Sequence, residues 1–305
     1  MNYTISQLKI FLKVVEFGSI TKAADELHLT QPAVSIQIKN FQKDFKYPLT
    51  EIINKKLYVT DFGREIASAC ENILNELEII NYKSLGYNNN YTGKLKISIV
   101  STGKYVMPYY LADFLNTHSD IDLQMDVTNK SKVIASLEKN EIDFALISIL
   151  PDNLNLIELD LMDNHIYLIG NKEIANEIIN NKTLLDSKPF IFREQGSGTR
   201  QMMEKFISIN IYRTKKKIEL TSNEAVKQAV LAGIGVSIMP IISISSELAS
   251  GKLKIIETKG LPITTKWRLV WLKEKKLSSI AQHFIEYLKK EKDNINKISF
   301  TIPKL

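Results

Sequence analysis

Three stretches of this chain put hydroxyls, amides and glycines where an apolar run gives way to a helical pattern. They are Ser101-Thr102-Gly103, Gln195-Gly196-Ser197-Gly198-Thr199-Arg200 and Thr221-Ser222-Asn223. The first N–H groups of a helix lack intrahelical partners and carry partial positive charge, so such turns bind anions. The competing use of each hydroxyl or amide is to cap its own helix. A second chemistry is laid out between residues 31 and 45. Val34, Ile38, Phe41 and Phe45 form one apolar stripe. Opposite it lie Pro32, Ile36, Lys39, Asn40 and Lys43, flanked by Ser35 and Gln42. In a DNA major groove, amides and hydroxyls read base edges, an apolar tip meets a thymine methyl, and lysines neutralise phosphates.

Other chemistries find no support in the residue pattern. Gly196-Ser197-Gly198-Thr199 lacks the Gly-Lys-Ser/Thr ending of a phosphate-binding loop, and no Gly-x-Ser-x-Gly nucleophile turn occurs. No carboxylate pair in these turns reads as an acid–base couple. His28, His118, His165 and His283 never fall at a ligand spacing, and Cys70 is the single cysteine, so neither a metal site nor a disulfide framework is expected. The chain is therefore read as a non-enzyme without cofactor or metal. No apolar run is long enough to span a bilayer and the first residues lack a secretory layout, giving the expectation of a soluble, cytoplasmic protein.

The elements that must position these residues fall into three parts. Before residue 60 the apolar positions recur at helical spacing, and eight lysines face five acids. From Asp61 to Leu85, Ile66, Cys70, Ile73, Leu77 and Ile80 alternate at steps of four and three, the pattern of a coiled-coil seam that dimerises the chain. The polar run Tyr87–Asn90 and Gly93 read as a linker. Beyond it, short strands such as Leu95–Val100, Asp143–Ile149, His165–Ile169 and Arg268–Leu272 alternate with amphipathic helices, which argues for open α/β sheets. Trp267 and Trp271 face one side of the last of these strands and are expected to pack. With 305 residues there is room for two or three domains.

Ser19–Leu27 reads as a short helix, His28-Leu29 as a tight turn with His28 partly buried, and Thr30 as the cap of the next helix, with Pro32 in its first turn. Two helices joined so closely, with small Ala23 and Ala24 at their contact, form a helix-turn-helix. Ala23-Ala24, Leu27, Thr30-Gln31-Pro32-Ala33-Val34-Ser35, Gln37-Ile38 and Phe41 resemble the winged helix-turn-helix of LysR-type transcriptional regulators. The resemblance covers the whole chain. It implies a winged helix-turn-helix over 1–60, a dimerising linker helix and hinge over 61–92, and an α/β effector domain over 93–305. That domain would have two lobes resembling a periplasmic binding protein, about 93–161 plus 267–305 and about 162–266.

The same resemblance makes Asn54-Lys55-Lys56 the wing turn and implies DNA contacts from Ser19, Thr21, Thr30, Gln31, Pro32, Ser35, Gln37, Lys39, Lys55 and Lys56. Leu49-Thr50-Glu51-Ile52 departs from the family pattern, with threonine for phenylalanine and isoleucine for arginine. An effector, expected to be a small anionic metabolite, would sit between the lobes on Ser101, Thr102, Ser197 and Thr199, with Ser148 and Asn223 beside them and Lys104, Arg193 and Arg200 near. The runs Phe192–Arg200 and Ser222–Val230 look closest to members controlling carbon-fixation and sulfur-assimilation operons. Implied partners are double-stranded DNA, a second copy in a homodimer, further copies in a homotetramer, and RNA polymerase. A solute-binding protein or a small-molecule enzyme could share the α/β region. The first would need an export signal and no reader domain, the second a catalytic constellation.

Overall fold

The computed structural model describes residues 3–53, 56–85, 93–210 and 216–300. It divides into two compact units, the first covering residues 1–91 with 276–279 and the second the rest. In the first unit, α1 (Ile5–Phe17) opens on a capping box between Thr4 and Gln7. It is followed by α2 (Ile20–Glu26), α3 (Gln31–Gln42), the hairpin β1 (Thr50–Ile53) and β2 (Lys56–Val59), and α4 (Asp61–Leu85). Phe11, Val14, Ala23, Ala24, Val34, Ile38 and Phe41 are buried together, so the stripe on α3 faces this core.

Two expectations change here. Cys70 is 2% exposed and belongs to the same core, with Ala67 buried and Ile66 packed against it. Ile66 and Cys70 thus serve the unit's own interior, whereas Ile73 and Ile80 are 43% and 60% exposed. A seven-residue repeat encodes an apolar stripe without specifying whose apolar surface covers it. Burial raises the Cys70 thiol pKa to about 11, with Glu71 adding to the effect, so the sulfur acts as packing. His28, expected to be partly buried, is exposed in a left-handed conformation at φ 53° and turns the chain between α2 and α3.

The second unit is α/β. In chain order it contains β3 (Gly93–Val100), α5 (Met107–Thr117), β4 (Ile121–Thr128), α6 (Lys130–Glu138) and β5 (Phe144–Ile147). Then come β6 (Leu156–Asn171), α7 (Lys172–Asn180), β7 (Phe190–Arg193), α8 (Gly198–Asn210), β8 (Lys217–Leu220) and α9 (Asn223–Leu231). The chain closes with β9 (Ser237–Pro240), α10 (Ser245–Ala249), β10 (Leu253–Ile255), β11 (Ile263–Leu272) and α11 (Ser279–Ser299). β3 pairs in parallel with β4 and β5, and β5 pairs with the second half of β11. β9 and β10 pair with the second half of β6. These groups make two lobes, through both of which β6 and β11 run as antiparallel neighbours. Period-two alternation fills each side of the second lobe: Phe190 and Phe192 face one cluster with Met203 and Phe206, while Ile191 faces another with Val226 and Val230. Trp267 and Trp271 are both buried, as expected of packing residues.

Where β6 and β11 pass from lobe to lobe their register slips: Trp267 opposes Met162 but Arg268 opposes Asp160, leaving Leu161 over. A bulge frees backbone groups that need partners. α11 supplies them, with Lys292 donating to the Asp160 carbonyl at 2.9 Å and the Asn296 amide to the Leu161 carbonyl at 2.8 Å. The Asn296 oxygen also accepts from the hydroxyl of Tyr110, a fully buried residue of α5. Asn296→Leu is expected to orphan both groups, costing about 1–3 kcal/mol for each. Urea unfolding of the full chain checks this, and an unshifted effector-domain transition would show that α11 does not hold the crossover.

Candidate functional site

In the first unit the face nominated by sequence is α3 and what surrounds it. Ser19 caps α2 by accepting from the Lys22 amide at 3.3 Å, and Thr30 caps α3 by accepting from Ala33 at 3.4 Å. Pro32 sits in the first turn. Thr21, Gln31, Pro32 and Lys39 are exposed, Ser35 and Gln37 half-buried, and Ile36 is 58% exposed between them. Gln42 has another use: its amide donates to the Tyr47 carbonyl and accepts from the Leu49 amide, fixing the chain's entry into the β1–β2 hairpin. Lys56 is exposed at the start of β2, opposite Ile53, while Lys55 and Asn54 lie outside the described residues. Ile52 and Ile53 stand 71% and 52% exposed on the same hairpin.

In the second unit the turns singled out by sequence converge. Ser101, Thr102, Ser148, Ser197 and Thr199 line one cleft at strand carboxyl ends between the lobes. Thr102 and Ser197 are buried. Arg193, at the end of β7, also lines the cleft and is 4% exposed; it binds the Glu194 carboxylate through two nitrogens at 2.8 and 2.9 Å and donates to the Ser101 hydroxyl at 2.9 Å. That last bond joins the lobes. So do the Ser131 amide, which donates to the Gly196 carbonyl at 3.1 Å, and Lys130, which donates to the Gln201 side chain at 3.2 Å. Gly196 permits this approach, since its φ is +83° and a Cβ would lie 2.6 Å from the Ser131 hydroxyl.

Sequence reasoning missed Asn129 and Lys130, which line the cleft from the start of α6. The signal was available: Thr128-Asn129-Lys130-Ser131 is a fourth polar turn after a strand, and Asn129 caps α6. Among the described residues Lys130 forms no ion pair with a carboxylate, and burial lowers its pKa despite an opposing effect of Asp152. The other two cations expected nearby are used elsewhere. Lys104 lies over the Tyr105 ring, and Arg200 is bound to Glu204 and Glu219.

Asn223 is not among the residues lining the cleft. It is 1% exposed at the first turn of α9, beside the Tyr105 hydroxyl, where it partly offsets the rise that burial gives the Tyr105 pKa. Its side chain turns inward because Ser222 takes the capping position, accepting from Ala225 at 3.1 Å. Next to it a second interlobe contact forms, the Tyr105 hydroxyl donating to Glu224 at 3.3 Å. Glu224 belongs to a chain of charges in which Lys227 also binds Glu247 at 2.9 Å. A larger groove of about 860 Å³ lies on the second lobe between Leu248 and Lys259, but no polar turns at strand ends converge there.

Two family descriptions match this chain: a bacterial regulatory helix-turn-helix of the lysR family over residues 5–64, and the LysR substrate binding domain over residues 88–293. The chain belongs to the LysR family. It is a DNA-binding transcriptional regulator with an effector-binding domain, not an enzyme. It is 33% identical to the HTH-type transcriptional activator CmpR of Synechocystis over 94% of this chain and 95% of that one. It is 35% identical to the RuBisCO operon transcriptional regulator of Acidithiobacillus ferrooxidans, covering 93% of each. The regulatory domain of Synechocystis CcmR in complex with 2-PG superposes with a TM-score of 0.61 at 28% identity, over 70% of this chain and all of that one. Full-length CbnR on its target DNA shares the fold at 18% identity, with a TM-score of 0.60 over 94% of this chain and 99% of that one. No described helix of this LysR-type regulator is long and apolar enough to cross a membrane.

Glu224 gives the interlobe contact a pH dependence. The Gln228 amide, and then Lys227, hold its carboxyl below the ordinary value of 4.5. A carboxylate with a depressed folded-state pKa contributes stability above its unfolded value, and the contribution is lost as pH falls through the folded one. Glu224→Gln keeps acceptor capacity for Tyr105 but removes the titration. The acid limb of melting temperature against pH, below about pH 4.5, is expected to be shallower in this variant. Identical limbs would show that the charge plays no part.

Proposed function

We propose that this regulator reads its operator with α3 and its wing while a small anionic metabolite, held between the lobes, sets the outcome. In this reading Gln31, Pro32 and Ser35 reach base edges, with Thr21 and Gln37 beside them. Lys39, Lys55 and Lys56 meet phosphates. Ser19 and Thr30 act where their helices begin, their hydroxyls capping amide groups that would face the backbone. The observation that supports base reading is the exposed mixture of amides, hydroxyl and Ile36 on α3, a poor surface for a helix with no partner. Gln31→Ala is expected to relax preference at one base pair by about 1–3 kcal/mol, while Lys56→Ala weakens all sequences alike and lowers the salt slope by about one. Titrating specific and random DNA at several salt concentrations separates the two; equal losses in both variants would reverse the assignment.

The effector reading rests on one observation: polar turns from both lobes meet Arg193 and Lys130 in a single cleft. Helix starts that present N–H groups beside two cations favour an anion. The Synechocystis relative bound to 2-PG supports a phosphorylated carboxylic acid as the ligand class, and the relatives' names support control of a carbon-assimilation operon. The closed cleft has a volume of about 20 Å³, so a ligand of that class enters as the lobes part. The lobes would divide near residues 161–162 and 266–267, beside the register slip. The exposed stripe with Ile73 and Ile80 suits a homodimer. Tetramer and RNA polymerase contact follow from the family resemblance alone.

Thr102→Val preserves volume and deletes a hydroxyl. Calorimetry with 2-phosphoglycolate on the full chain is expected to show binding weakened by about 1–2 kcal/mol in the variant. DNA affinity without effector should be unchanged. Operator DNA must alter effector affinity by the same factor as effector alters operator affinity. Equal binding to wild type and variant would remove this turn from the site.

A further inference from the structure

Beside the register slip a cavity of about 90 Å³ lies where the two lobes adjoin. Period-two alternation sets Met162 and Asn164 on one face of β6, and Trp267 and Thr265 oppose them on β11. Ile242, just after β9, walls the cavity from the second lobe, and Phe300, just past the end of α11, walls it from the first. None of its lining residues belongs to the cleft that holds Ser101 and Arg193. One polar group on this wall is orphaned. Trp267 is fully buried, yet its indole N–H has no hydrogen-bond partner among the described residues. Buried donors are nearly always paired, and an exception calls for a reason. Asn164, 3% exposed, donates its amide to the Thr265 hydroxyl at 3.0 Å, which leaves its side-chain oxygen as an acceptor. Asp163 and His165 also reach the cavity, but alternation sets them on the other face, where His165 Nδ1 meets the Thr264 hydroxyl at 3.1 Å.

We propose that this cavity binds a small neutral aromatic amide, at a site separate from the interlobe cleft. Its volume is several times the roughly 10–15 Å³ that one water requires and suits a single ring. Ligand pockets characteristically combine apolar walls with a few placed polar groups. Here the ring lies among Met162, Ile242 and Phe300, the amide carbonyl accepts from the Trp267 N–H, and the amide N–H donates to the Asn164 oxygen. The face that Met162, Asn164, Thr265 and Trp267 share carries no charge, so an ion would lose hydration there without a counter-charge to offset the loss. The ligand touches both lobes, through Ile242 on one and Phe300 on the other. It therefore binds different lobe arrangements unequally and shifts the balance between them. The inference does not depend on which ligand the cleft takes.

Trp267 and Trp271 are the two tryptophans of the chain, so the site carries its own reporter. The full chain labelled with ¹⁵N-tryptophan is expected to give two indole N–H signals, and Trp271→Phe identifies the one that belongs to Trp267. Titration with benzamide is expected to move the Trp267 signal downfield and saturably while the Trp271 signal stays in place. Ser299→Phe puts another ring into the cavity from the last residue of α11. It is expected to weaken benzamide at least about tenfold, because the ligand ring loses the surface that buries it. Where that variant fails to fold, the wild-type titration decides alone. A Trp267 signal that benzamide does not move, or undiminished affinity in folded Ser299→Phe, overturns the proposal.

Discussion

β6 and β11 run side by side through both lobes of the effector domain, hydrogen-bonded to each other from Ile263 to Leu272. Paired strands twist together as one ribbon, and a bulge is where such a ribbon bends. The weakest point of the ribbon is the register slip at Leu161, where the ladder is interrupted. The protein reinforces that point with charge: the Asp160 carboxylate binds Lys266 at 2.7 Å and Arg268 at 2.8 Å, across the slip. Across the cleft the lobes are tied a second time, by Arg193 to Ser101 and by Ser131 to Gly196.

In the effector site proposed above, these contacts are the ones a ligand would compete with. Arg193–Ser101 and Lys130–Gln201 are bonds to neutral partners, so a ligand oxyanion can replace them with stronger, charge-assisted ones. Arg193 does not bring a free charge to the exchange, because Glu194 already neutralises it through two nitrogens. The unbalanced positive potential of the cleft therefore comes from Lys130 and the helix starts around it. The desolvation that lowers the Lys130 pKa would also strengthen its attraction to the anion proposed for this cleft. Only a ligand that interacts differently with the open and closed forms shifts the balance between them.

Legibility from sequence tracked how local the determining physics is. The helix-turn-helix was readable because caps, the Pro32 position and the α3 stripe act within a few residues of one another. The turns that line the cleft were readable as polar turns at strand ends for the same reason, although Asn129 and Lys130 were missed and Asn223 lies outside the cleft lining. β6 was visible only as His165–Ile169. Its first half, Leu156–Asn164, mixes apolar residues with Glu158, Asp160, Asp163 and Asn164 because its partners change along its length. The contact between His118 and His283, whose Nε2 atoms lie 3.2 Å apart, was invisible, since the two come together only through packing of α5 on α11 around Phe114 and Phe284.

The linker helix shows the same limit and has a mechanical consequence. Its apolar repeat runs without interruption from Ile66 to Ile80, yet the first two turns are buried in the core that holds α3, through Ala67 and Cys70. The Gly63 amide adds a tie by donating to the Thr60 hydroxyl at 2.9 Å, and that hydroxyl in turn binds the Pro48 carbonyl at 2.6 Å. The base of α4 thus shares one packed core with α3. If α3 reads DNA as proposed, a twist of α4 would reach it through this core, because close-packed side chains transmit strain. In the homodimer proposed above, a rotation of a few degrees, carried along a helix that rises about 1.5 Å per residue, would change how two such faces fit successive turns of one DNA duplex.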